Sequence, residues 1–360
     1  MSDSSNHLRI LAAVSRWPGS NAEGAYNALQ RQGHSVYPVQ EGLYFPFRWR
    51  TLPMKIVRRL TAPLLARELH SDILRLTAIF RPHLFFAFKG SYISARTLQA
   101  LGELGVIRIN WYPDVSFYTH GKYLPSALPL YDWVFSAKTF GIDDMREKLG
   151  ISRSSVLLHG YDPDIHFPHI LSEEERAHYG CDVSFIGTWS PKKQHLLEHL
   201  VAARPDLDVK IWGNQWDRAQ PGALDPAIQG KEIIGREYAK AIVGSRINLA
   251  ILSERRTGAS SGDLITSRSF HIPAARGFML HERTTELLHI FREDRDIACF
   301  STPDDLVEKV ENYGGNQALR ERMAASAHDV CTRAHSLDER VKTILGKYSE
   351  IKDQRRAQLP

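Results

Sequence analysis

Val183-Ser184-Phe185-Ile186-Gly187-Thr188-Trp189-Ser190-Pro191-Lys192-Lys193 passes from an apolar run of strand length, through a glycine turn, into a helix start. Strand, turn and helix in that order build a parallel sheet covered on both faces. A glycine turn at a helix start also offers free backbone N–H groups at the positive end of the helix dipole, and Lys192 and Lys193 add charge there. The stretch reads as a candidate cradle for a diphosphate. Without that role it is a β–α turn followed by a solvated helix.

The order repeats on both sides. Downstream, strands are predicted at 182–186, 208–212, 246–252, 278–280 and 297–300, with helices at 192–203, 237–243, 267–275 and 284–291. Three mainly helical segments, 303–312, 318–333 and 336–351, close the chain. Upstream, strands are predicted at 8–14, 35–39, 84–89, 106–111, 133–136 and 155–158, with helices at 22–32 and 94–104. Between the two series lies a connector, 159–168, carrying Gly160, Pro163 and Pro168. The expected organisation is an N-terminal α/β domain over 1–168, a second over 169–335, and a last helical segment, 336–360, packing back on the first. Two such units in tandem leave a cleft, the usual place for a ligand.

Composition agrees with two globular domains: 360 residues, 43% hydrophobic and 24% charged. No segment approaches the roughly 20 apolar residues of a membrane span. The opening Met1-Ser2-Asp3-Ser4-Ser5-Asn6 lacks the basic-then-apolar order of a signal peptide. Cys181, Cys299 and Cys331 are odd in number and far apart, which argues against a disulfide-built protein and against a cysteine zinc site. The expectation is a soluble, reduced, cytoplasmic protein. The net charge of +5 is uneven: residues 1–170 hold 19 Lys+Arg against 13 Asp+Glu, a balance of +6. From Gly42 to Arg67 there are six basic residues (Arg48, Arg50, Lys55, Arg58, Arg59, Arg67) and no acidic one, interleaved with Phe45, Phe47, Trp49, Leu52 and Ile56. Such a stretch suits an anionic membrane surface, an anionic ligand or nucleic acid, or is a solvated face with core contacts.

Several chemistries lose their basis. There is no G-x-G-x-x-G after the first strand, no P-loop, no G-x-S-x-G and no H-E-x-x-H. Asp162-Pro163-Asp164 has a D-x-D spacing that can hold a metal between phosphates. The spacing recurs by chance at Asp206/Asp208 and Asp294/Asp296, and a turn is the preferred reading of Asp162. Trp212-Gly213 ends a strand with an aromatic that either stacks on a base or is buried. Asp263 to Leu280 is the densest signal: polar residues, a helix start with Arg268 placed to pair with phosphate, then His271, small residues, Gly277 and a buried strand.

These pieces together resemble the C-terminal domain of CgeB-like, spore-maturation-type glycosyltransferases, members of the GT-B group. The resemblance covers residues 182–300 and is carried by Val183–Lys192, Ile211-Trp212-Gly213, Tyr238–Ile242, Ile247-Asn248-Leu249, Arg268–Ala274, Gly277–Leu280 and Glu282–Thr284, in that order and spacing. The connector Leu158–Pro168 is similar to the N-G-v-D…F-x-P stretch that precedes the donor domain in such enzymes, whereas residues 8–158 resemble the family only loosely. One position departs: the family's Phe-Glu-Ile-Pro-Ala has His271 in place of its glutamate here, and neutral imidazole can still bond a hydroxyl.

The resemblance implies two Rossmann-like domains in GT-B architecture. It implies transfer of a hexosyl or related sugar from a nucleotide-diphosphate-sugar to an acceptor hydroxyl, a cell-surface glycan or lipid-linked molecule, without a cofactor or metal. Lys192, Lys193, Arg268 and the N–H groups of Gly187, Thr188 and Trp189 would stabilise the leaving diphosphate. Trp212, Gly213, Tyr238, Asp263, Ser269, Phe270 and His271 would complete donor binding. Asp114 and His120, in the loop after strand 106–111, are the candidate acceptor bases; loop capping is the alternative. Two rivals stand beside this reading: a non-catalytic sugar-nucleotide binder with His271 as the altered site, and a nucleic-acid binder using 42–67. The donor-like motifs favour transfer, with no nucleic acid as partner.

Overall fold

A computed structural model describes residues 7–45 and 52–358; the side chains of residues 52–56, 58 and 59 are not described. Phe47, Arg48, Trp49 and Arg50 thus lie outside the described residues. The chain divides into two compact units: Met1–Leu158 with Arg255–Ser261 and Asp338–Pro360, and His159–Glu254 with Gly262–Leu337. Connector residues from His159 onward therefore belong with unit two.

Unit one is built on six parallel strands: β1 (Arg9–Ala13), β2 (Ser35–Val39), β3 (Leu84–Phe88), β4 (Ile107–Tyr112), β5 (Trp133–Ser136) and β6 (Ser154–Val156), in the order β2-β1-β3-β4-β5-β6. The all-apolar Leu84-Phe85-Phe86-Ala87-Phe88 sits at the centre, where both faces are covered. Pro38 lies in an edge strand, where a missing N–H is tolerated. Ser20 and Ser94 cap the helices Asn21–Arg31 and Ala95–Glu103 by accepting the N–H of Glu23 and Thr97.

The helix Leu52–Phe80, 29 residues long and interrupted by Pro63, has no counterpart in the sequence reading. Its second half buries Ala66, Leu69, Ile73 and Thr77 at helical spacing in the unit-one core. Its first half carries apolar and basic residues without a single-sided pattern, so periodicity gives no signal there. The helices Gly141–Leu149 and Glu173–Tyr179 were likewise not foreseen.

Unit two has five parallel strands: β7 (Cys181–Ile186), β8 (Val209–Trp212), β9 (Ser245–Ala250), β10 (Met279–Glu282) and β11 (Ala298–Phe300), ordered β11-β10-β9-β7-β8. Val183, Phe185, Ile211, Leu249 and Leu280 form its core on one face, against the helices Pro191–Ala203, Pro303–Gly314 and Gln317–Ala334. In each sheet the chain leaves its first strand to one side and returns on the other. The switch lies between β1 and β3 in unit one, and between β7 and β9 in unit two. Ligands of doubly wound sheets bind beyond the carboxyl ends of the strands at such points.

Candidate functional site

The switch point of unit two is occupied by Arg268, the first residue of the helix Arg268–Ala274. Its Nη2 donates to the carbonyl of Ile251 just past β9 (2.7 Å), and its Nη1 to that of Ile186 at the end of β7 (3.4 Å). The guanidinium lies 5.3 Å from the Phe185 ring centroid. Its third nitrogen, Nε, is buried and has no protein partner. Burial lowers the Arg268 pKa from its ordinary value, opposed by Tyr238 and Asp263.

Two glycines make this edge possible. Gly213 has φ +143° and lies against the Gly187 backbone, so a Cβ there would collide with the Gly187 carbonyl. A Cβ on Gly187 would come within 2.8 Å of Arg268 Nη1. The Gly187 and Trp189 N–H groups donate to the carbonyls of Trp212 and Asn214, both at 2.9 Å. They are therefore not free for a ligand, contrary to the sequence expectation; among the described residues the Thr188 N–H shows no backbone acceptor.

The lysines are also engaged. Lys192 Nζ contacts both Glu282 oxygens (2.6 and 2.8 Å), while its backbone N–H donates to Glu254 Oε1 (3.2 Å). An internal carboxylate thus sits at the start of the helix Pro191–Ala203, where the sequence placed a diphosphate. Burial would raise the Glu254 pKa, but backbone N–H groups, Ser190 and the Lys193 charge hold it below the usual range. Lys193 is buried and donates to the Thr188 carbonyl (3.0 Å) and Ser253 Oγ (3.2 Å). Lys192 is thus ion-paired with Glu282, while Lys193 acts on Glu254 and Asp263 on Arg268 through their charges.

Three further expected donor residues are enclosed. Trp212 and Phe270 are wholly buried in unit two, which removes them from any surface a base could stack on. Ser269 is buried, and its hydroxyl bonds His281 Nε2 at 2.8 Å while the His281 Nδ1–H donates to the Glu282 carbonyl. Burial holds the His281 pKa near 4. Asp263 is half-buried and its N–H donates to the Ser253 carbonyl (2.9 Å). The loop before it is tethered rather than free: the Ser260 N–H donates to Asp144 and Ser116 Oγ to the Thr257 carbonyl.

His271 is stacked on His166, with centroids 3.8 Å apart and planes 14° apart; half-buried Tyr238 meets both rings edge-on. Burial, then the charge of His159, pulls the His271 pKa to about 3, and burial also lowers that of His166. Both imidazoles are neutral. His166 Nδ1 accepts the Asp162 N–H (3.1 Å), which puts its proton on Nε2; that nitrogen and His271 Nε2 have no protein partner. His166 was missed because a histidine in a turn carries no local signal. Asp162 itself forms a turn, its Oδ1 accepting the Asp164 N–H.

Unit one gathers a second polar group beyond the carboxyl ends of β3 and β4. Asp114 follows β4 and is bound by Lys89 Nζ (2.7 Å) and by His120 Nε2 (3.4 Å). Burial would raise the Asp114 pKa, but Lys89 and His120 hold it below the carboxylate range; burial lowers that of His120. The sequence pair is thus brought together. Lys89 also acts on the charge of Glu41, which the sequence reading did not select. Glu41 is buried, its Oε1 accepts the Tyr92 N–H (3.3 Å), and burial pushes its pKa to about 7.

Residues 192–346 match the profile of a family described as glycosyl transferase-like. Residues 192–346 are thus similar to a glycosyl transferase-like domain. Glycosyl transfer is thereby its enzyme class, and the matched segment contains Arg268, His271, Glu254 and Glu282. No curated protein matches the sequence. Among solved structures, the chain is similar to a glycosyltransferase from Rickettsia africae (TM-score 0.65, 12% identity, 96% of this chain and 99% of that one). The same holds for sucrose-phosphate synthase from Thermosynechococcus elongatus (0.66, 10%, 97% and 100%) and for Anabaena HepE in complex with UDP and glucose (0.62, 11%, 96% and 100%). At these identities the likeness establishes the fold: two Rossmann-like domains, as in GT-B glycosyltransferases.

Proposed function

We propose that the protein transfers a hexosyl or related sugar from a nucleoside-diphosphate sugar to an acceptor hydroxyl, as a CgeB-like member of the GT-B group. One observation carries this: the glycosyl transferase-like segment contains a half-buried arginine at a sheet switch point, whose buried Nε–H has no partner among the described residues. The UDP and glucose held by HepE support a nucleotide-sugar donor. In the reaction the acceptor oxygen forms a bond to the anomeric carbon as the bond to the diphosphate oxygen breaks. Negative charge grows on that oxygen; Arg268 Nε and the Thr188 N–H would meet it. His271 and His166 would present an acceptor and a donor to sugar or ribose hydroxyls. On unit one, neutral His120, oriented by Asp114, would take the acceptor proton.

The acceptor is read as a cell-surface glycan or lipid-linked molecule handled in the cytoplasm, and the transfer as metal-independent. Incubating the protein with nucleotide sugars and following nucleoside diphosphate release by mass spectrometry tests the reading. Release from at least one donor supports it. Binding without release or transfer to any acceptor would favour the non-catalytic binder.

A further inference from the structure

We propose that the Leu52–Phe80 helix of unit one docks the protein on an anionic membrane surface through an outward apolar row. Opposite the buried Ala66, Leu69 and Ile73, the helix exposes Val57 (47%), Leu60 (73%) and Leu64 (67%) at i, i+3 and i+7. Arg67, also exposed, continues the row at i+10. Leu43, 76% exposed, precedes the helix. Single exposed leucines are ordinary, but a row of large aliphatic side chains on one helix face marks a contact surface.

Charge selects the occupant. The stretch Gly42–Arg67 that contains the row has six cations and no anion. A second copy of the chain would set these cations against themselves across a two-fold axis. The row is also too short for a coiled coil, since Arg67 and Ser71 take the next heptad positions. Among the described residues no helix is long and apolar enough to cross a membrane. An anionic bilayer fits both features: the aliphatic side chains enter the headgroup–acyl boundary, exposed Arg67 meets lipid phosphates, and the basic sequence around the row favours an anionic surface. The helix and the donor-side residues belong to different units, so the proposal stands or falls independently of sugar transfer.

The test is flotation with phosphatidylcholine vesicles, with and without phosphatidylglycerol. Wild-type protein should float with the anionic vesicles only, and several-fold less at high salt. The Leu60→Ser/Leu64→Ser variant should lose flotation on the order of tenfold at an unchanged melting temperature, because both side chains are solvent-facing. Arg67→Glu should weaken flotation on its own, and serves if the double variant melts early. Ile170→Ser, at a 95% exposed position in unit two, should float like wild type. Equal flotation of wild type and the double variant, or equal binding to neutral vesicles, would overturn the proposal. So would a wild-type dimer that the double variant abolishes, or retention by nucleic acid in place of vesicles.

Discussion

Arg268 ties two strand ends together with its terminal nitrogens and keeps Nε unpartnered. A diphosphate gains charge as its sugar departs, so this N–H should matter more in the transition state than in donor binding. Arg268→Ala should lower turnover by about 10²-fold or more, roughly 2.7 kcal/mol, with a smaller loss of donor affinity. Arg268→Lys should recover only part, because an ammonium cannot replace the planar fork. If Arg268 only braces the sheet, the alanine variant will melt early yet keep wild-type turnover at low temperature. Glu41 offers a separate test. Its pKa rises from 4.5 unfolded to about 7 folded, so the folded state binds the extra proton. The resulting stability is complete below pH 4.5 and is lost as pH rises through 7. Glu41→Gln keeps an acceptor for the Tyr92 N–H and should flatten this dependence. By melting curves it should be more stable than wild type at pH 8 by up to about 3 kcal/mol, and no more stable at pH 4.5. A difference independent of pH would contradict the burial argument.

At the scale of elements, the Gly187 and Gly213 turns hold β7 and β8 in close approach. Gly213→Ala combines a left-handed φ with a collision against the Gly187 carbonyl, and should cost several kcal/mol in chemical denaturation. A loss below about 1 kcal/mol would show that the turn relaxes freely. The strands were legible because buried parallel strands are continuous apolar runs, as in Leu84–Phe88, with glycine and proline marking their ends. The Leu52–Phe80 helix was not, because basic and apolar residues are mixed around its first half and Pro63 interrupts it. Candidate site residues were legible as types at strand ends, but not in their partners. Lys192 finds Glu282 ninety positions away, and Ser269 finds His281 on the next strand. Nothing local distinguishes a free lysine from a paired one. Asp114 and His120, close in sequence within one loop, were read together and do meet.

In each unit taken by itself, ionisable groups gather near the carboxyl ends of the strands: Arg268 at the β7–β9 switch in unit two, and Lys89, Asp114 and His120 beyond β3 and β4 in unit one. In unit two Lys192 is paired with Glu282 and Glu254 accepts its backbone N–H, so on the proposed reading a diphosphate would depend on Arg268 and the Thr188 N–H, with no bound metal. Calorimetric titration of the full chain with UDP, GDP, ADP, CDP and dTDP, in excess chelator, reads this directly. Binding of at least one nucleoside diphosphate with chelator present is the predicted result. Failure of every one to bind, or binding that appears only when Mg²⁺ or Mn²⁺ is restored, would contradict it.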